Sequence, residues 1–127
     1  MPIQLDHLIL TVNDRQQSID FYTCILGLTY EGERPPFAML RVTPDLLLQL
    51  APWGTKGGEH LAFALPRPEF DAVFQRVRDA GIDYGDSFNT VGNRRGPGDE
   101  PGARGPGKAV YFFDPSQHLI EIRTYDE

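Results

Sequence analysis

Apolar positions crowd into two short β-type runs, DHLILTV at 6–12 and EHLAFAL at 59–65, each followed by a helical pattern. After the first, Asn13 and Asp14 are N-cap candidates. Ile19, Tyr22, Ile25 and Leu26 then share one face, and Gly27 supplies the C-cap. After the second, Pro68 suits a first helical position, and Phe70, Val73, Phe74 and Val77 recur at i, i+3, i+4 and i+7 before Gly81. Strand patterns follow at 28–32, 37–42 and 46–50 in the first half. In the second they fall at 82–84, 109–113 and 119–124, with a hairpin turn at 114–117. The predicted order is βαβββ, twice: an α+β chain of two modules, 1–58 and 59–127, in one domain.

The spacing supports the repeat. From the opening histidine to the capping glycine is 20 residues in the first copy (7 to 27) and 21 in the second (60 to 81). From that histidine to the polar residue of the last strand is 42 residues in the first (7 to 49) and 61 in the second (60 to 121). The excess of 19 matches a segment in the second copy, VGNRRGPGDEPGARGPG at 91–107, which holds six of the 13 glycines and three of the 11 prolines. Helices and central strands do not tolerate that density, so the segment is predicted to be a long surface loop that projects from the second module.

Alternation assigns the strand faces. Leu8, Leu10 and Val12 oppose His7, Ile9 and Thr11, while Leu61, Phe63 and Leu65 oppose His60, Ala62 and Ala64. In the closing strands, Leu48 and Leu50 oppose Leu47 and Gln49. Likewise Ile120 and Ile122 oppose Leu119, Glu121 and Arg123. One face is apolar and packs on the helices. The other gathers His7, Gln49, His60 and Glu121 on an otherwise apolar surface, where Ala62 and Ala64 leave room. Two imidazoles, a carboxylate and an amide oxygen suit Zn²⁺, Mn²⁺, Fe²⁺, Ni²⁺ or Co²⁺. Singly, each residue reads as an ordinary structural or solvated side chain; their repetition in both copies points to a metal.

Composition narrows the class. Of the 127 residues, 40% are hydrophobic and 11% aromatic, enough for a proper core. A single cysteine, Cys24, excludes an internal disulfide and a Cys-rich zinc module held by this chain alone. A net charge of −6 argues against broad binding to nucleic acid or anionic membrane. With no long apolar run and no basic leader, the chain reads as cytoplasmic. Arg94, Arg95, Arg104 and Lys108 form a local basic patch around the glycine-rich loop, which reads as a lid over an anionic substrate or as a solvated loop. Tyr111 reads as supplying a hydroxyl to the cavity or as packing its ring in the sheet, and Tyr111 and Glu59 are candidate acid/base groups by proximity in sequence only.

The segments DHLILTVND, SIDFYTCILGL, EHLAFAL and YFFDPSQHLIEI together resemble the vicinal oxygen chelate superfamily of glyoxalase I, extradiol dioxygenases, fosfomycin-resistance enzymes and bleomycin-resistance proteins. The resemblance spans nearly the whole chain. It implies paired βαβββ modules whose mixed sheets curve into a cup around a divalent metal, often completed in a homodimer. At matching positions it implies His7, His60 and Glu121 as ligands, with Gln49 at a fourth site and Glu121, Gln49 and Tyr111 as catalytic groups. The implied activity is metal-dependent chemistry on a small oxygen-chelating metabolite or antibiotic. The alternative is a metal-free binding protein of the bleomycin-resistance type. Gln49 stands where bacterial glyoxalase I enzymes typically carry glutamate, and an amide cannot serve as a general base near neutral pH. Ile9 replaces the phosphonate-contacting threonine of the fosfomycin transferases. His118, three residues from Glu121, falls on the opposite strand face.

Overall fold

A computed structural model describes residues 3–126. The chain divides into two compact units, Met1–Gly57 and Gly58–Glu127. In the first, the opening apolar run forms strand β1 (His7–Thr11), and helix α1 (Arg15–Asp20) follows. Asp14 is its cap: the carboxylate accepts the Gln17 N–H at 2.9 Å. The helix continues as one π-helical turn, Phe21–Ile25, before Gly27 ends it at φ 84°. That wider turn shifts the apolar stripe. Phe21 and Tyr22 are buried, while Ile25, expected on the inner face, is only half-buried.

Strands β2 (Thr29–Arg34), β3 (Phe37–Thr43) and β4 (Leu46–Ala51) complete a four-stranded sheet in the order β1-β4-β3-β2. β1 and β4 are parallel and the other pairs antiparallel. A parallel pair needs a crossover long enough to return the chain, and α1 with the strands after it supplies that. Leu10, Leu40, Leu48 and Leu50 are buried on the helix side of this sheet.

The second unit repeats the plan with β5 (His60–Ala64), α2 (Arg67–Asp79), β6 (Tyr84–Gly85), β7 (Gly98–Asp99), β8 (Lys108–Phe113) and β9 (Leu119–Thr124). Its sheet runs β5-β9-β8-β6, with β7 also paired to β8 and β5 parallel to β9. The predicted stripe on α2 is the buried one: Phe70, Val73, Phe74 and Val77 are each at most 4% exposed. The helix packs on β9, where Ile120 and Ile122 are fully buried. The closing turn is fixed by Asp114, whose carboxylate accepts the backbone N–H of Ser116 and His118, and by Gln117 at φ 67°.

The glycine-rich segment departs from expectation in two ways. It contributes the two-residue strand β7, which extends the edge of β8 where β6 stops. It also lies against its own unit instead of projecting. Arg94 pairs with Asp83 at 2.7 Å, Lys108 with Asp99, and the N–H groups of Gly92 and Arg94 both reach the Tyr84 carbonyl. Two of the four basic residues, Arg94 and Lys108, are thus taken up in local ion pairs, and Arg104 lines the cavity beside β9.

Candidate functional site

The two units place their polar residues in one register. In the first, His7 pairs with Leu47, and Gln49 is flanked by Ile9 on β1 and Met39 on β3. In the second, His60 pairs with Leu119, and Glu121 is flanked by Ala62 on β5 and Tyr111 on β8. The histidine thus opens the first strand at the same offset from the polar residue of the last strand in both units. Gln49 and Glu121 are structural counterparts, as are Met39 and Tyr111, and Ala51 and Arg123.

His7 and Gln49 line a cavity of about 380 Å³ with Asp6, Glu31, Arg41 and Met39. His7 Nδ1 lies 2.8 Å from Asp6 Oδ2. An ionised carboxylate only accepts, so in the neutral ring Nδ1 carries the proton and Nε2 offers its lone pair, the tautomer a metal ligand needs. The Gln49 amide nitrogen faces Met39 Sδ at 3.5 Å.

In the second unit, Glu121 is 6% exposed and both of its oxygens are engaged. Oε1 lies 2.9 Å from His60 Nε2, and Oε2 accepts from Arg123 Nη1 at 2.6 Å. The imidazole of His60 remains about half-exposed, with the Tyr111 ring 6.3 Å away, centroid to centroid. Ala62, Ala64, Gly102, Arg104 and Tyr125 join Glu121 and Arg123 around a cavity of about 370 Å³.

Tyr111 is buried beside Glu121. Burial, and after it the Glu121 charge, push its hydroxyl up to about 12. The phenol is a proton holder and hydrogen-bond donor at neutral pH, not a base. Because the folded value lies above the ordinary value near 10, its stabilising contribution is complete below about pH 10 and lost as pH rises towards 12. In an ultraviolet titration, one of the five tyrosines is expected to ionise last, and Tyr111→Phe to remove that late step. If the late step survives the substitution, it belongs to another residue.

Among the described residues, no three His, Cys, Asp or Glu side chains form a single cluster. The candidate ligands come instead as His7 with Gln49 in one unit and His60 with Glu121 in the other. Their chemistry fits a borderline divalent cation: His7 has its outer nitrogen bare, and Glu121 is buried, with a guanidinium holding its second oxygen. Partners of that kind orient metal ligands. The other candidates have structural places. The Glu59 N–H donates to His118 Nδ1 at 3.2 Å, and fully buried His118 is locked in the Asp114 turn. Cys24 is exposed.

Arg123 is the residue that sequence reasoning passed over. The signal was present, since a residue two places beyond Glu121 on a strand shares its face. The strand pattern gave no reason to expect a buried guanidinium there, because the loop that covers it is distant in sequence. Tyr125 was missed for the same reason. It accepts the Arg104 N–H at 3.2 Å, which draws its hydroxyl below the usual phenol range.

Known proteins carry the same arrangement of elements. The glyoxalase/bleomycin resistance protein/dioxygenase superfamily model matches residues 4–122. Glutathione transferase FosA of Serratia marcescens is 27% identical over 94% of this chain and 79% of its own length. Virulence protein STM3117 of Salmonella typhimurium is 30% identical, covering 96% of this chain and 84% of its own. Among solved structures, the oxidase ChaP-H1 superposes with a TM-score of 0.80 at 31% identity, covering 98% of both chains. With a family match over nearly its full length and the family's paired sheets in one register, the chain belongs to the glyoxalase/bleomycin resistance protein/dioxygenase superfamily.

Proposed function

We propose that the chain is a divalent-metal-dependent enzyme acting on a small oxygen-chelating metabolite or antibiotic. His7, His60 and Glu121 hold the ion, with Gln49 at the fourth position and Zn, Mn, Ni, Fe or Co as the metal. The observation that carries this reading is the shared register, which sets a histidine and an oxygen donor at equivalent points of both units. When bound, the ion polarises substrate oxygens as a Lewis acid. Around it, Tyr111 keeps a proton at its hydroxyl, and Arg123 holds Glu121 oriented through Oε2. Gln49 positions without accepting protons, which argues against isomerisation of the glyoxalase kind.

The two modules act as one cytoplasmic domain, and the working form is a homodimer. β1 is an edge strand, and Ile3, Leu5, Leu8 and Ile9 on and before it are 38–96% exposed, apolar surface along one edge that a second copy would cover. Sedimentation at micromolar concentration is expected to give twice 14.3 kDa. A monomer would remove the dimer from this reading.

One observation favours a second reading. Both Glu121 oxygens already have partners, so the carboxylate is satisfied without an ion, as in a metal-free sequestering protein. Elemental analysis of protein purified without a metal-binding tag, followed by calorimetry with Mn²⁺, Ni²⁺ and Zn²⁺, separates the two. One ion per chain is expected. Gln49→Ala should weaken binding modestly, since water replaces a neutral amide oxygen, and Gln49→Glu should tighten it. If the wild type binds no ion, the sequestration reading takes its place.

A further inference from the structure

Arg123 is 3% exposed, yet its hydrogen bonding is unfinished. Nη1 donates to Glu121 Oε2 and Nη2 to the Glu100 carbonyl, each at 2.6 Å. The Nε–H is buried and meets no acceptor among the described residues. Nε–H and one Nη2–H form the side-on edge of a guanidinium, a fork that fits two oxygens of one carboxylate, phosphonate or phosphate. Here one prong rests on a lone carbonyl and the other on nothing.

What covers this edge is a short strap in the glycine-rich segment. Gly102 and Gly105 exchange backbone hydrogen bonds at 2.7 and 3.1 Å. Gly102 lies so close over the guanidinium that a Cβ there would collide with Arg123 and the Tyr125 hydroxyl. The Arg104 guanidinium stacks 4.2 Å from the Tyr125 ring centroid. Beside the strap is the 370 Å³ cavity floored by Ala62 and Ala64, with Glu121 at its wall.

Neither feature is required by the sheet. The first unit runs in the same register with Ala51 at the Arg123 position, and it has no counterpart of the strap. Guanidinium and cover were both added to the same face of one unit.

We propose that Arg123 anchors an oxyanion of the substrate. Its Nε–H and Nη2–H take two oxygens of a carboxylate, phosphonate or phosphate group, displacing the Glu100 carbonyl as the strap lifts, and Arg104 closes over the bound anion. The rest of the substrate lies over Ala62 and Ala64 toward His60 and Glu121. This places a small organic anion as the substrate class and rests on the reading that the β9 face is the substrate site.

The test is titration of the full-length chain with methylphosphonate and with benzoate, in the presence of EDTA so that no metal contributes. Binding is followed by the ¹⁵Nε–¹H resonance of Arg123 and by calorimetry, with acetamide as the neutral control. Saturable binding that shifts the Arg123 resonance is expected for the anions and not for acetamide. Arg123→Lys, which keeps the charge and loses the fork, should weaken binding at least tenfold, and Arg104→Gln about threefold. Gly102→Ala, which forces the strap off the guanidinium, should leave binding intact or tighten it. An unmoved Arg123 resonance at saturation, or equal affinities for wild type and Arg123→Lys, overturns the anchor. Should Arg123→Lys fail to fold, the resonance and Arg104→Gln decide alone. Anion binding in EDTA by a protein that binds no metal would sink the metal reading and leave this one standing.

Discussion

Glu121→Ala is expected to abolish divalent-ion binding and to cost about 3–5 kcal/mol of stability, the usual effect of removing one partner from a buried ion pair. The two effects have separate causes. The ion loses the only negative charge assigned to its ligands. The fold loses the countercharge to Arg123, which is buried with Nη1 aimed at Glu121. Glu121→Gln separates them, because an amide of the same shape still offers an oxygen to Arg123 but no charge. It should recover part of the stability and little of the ion affinity. Urea unfolding and metal calorimetry on the three proteins give both quantities. Unchanged ion affinity in Glu121→Ala would remove Glu121 from the ligand set, and an unchanged unfolding midpoint would show that Arg123 finds another partner.

The second large effect belongs to the core. Phe70→Ala empties the space under the first turn of α2, where Phe70 is fully buried with its ring 6.4 Å from that of Phe74. Truncation of a buried phenylalanine costs about 3–5 kcal/mol through lost burial and the cavity left behind. That is a large share of the 5–15 kcal/mol typical of a domain. The midpoint of urea unfolding should fall accordingly, while Phe88→Ala, at an exposed ring, should move it by less than about 0.5 kcal/mol. A loss below about 1 kcal/mol for Phe70→Ala would mean that α2 does not carry the core of its unit.

The contrast between Phe70 and Arg123 divides what was legible from what was not. Phe70, Val73, Phe74 and Val77 announce their burial through 3.6-residue spacing, and Asp14 announces a helix start through its side chain. Both are local physics, written within a few residues. Alternation, equally local, set His7 and Gln49 on one face and His60 and Glu121 on another, and the repeat in spacing fixed their common register.

The sequence by itself thus determined the two-module plan, the faces of the strands and the residues that share them. Tertiary structure alone decided the rest: the π-helical turn that half-exposes Ile25, the pairing of β7 with β8, and the ion pairs that take up Arg94 and Lys108. It also decided that Glu100 and Gly102, more than 20 residues before Arg123, would close over that guanidinium. Periodicity reports which way a side chain points. Whether it is then buried, paired or left with an unmet hydrogen bond depends on which distant loop settles on it, and no spacing along the chain encodes that.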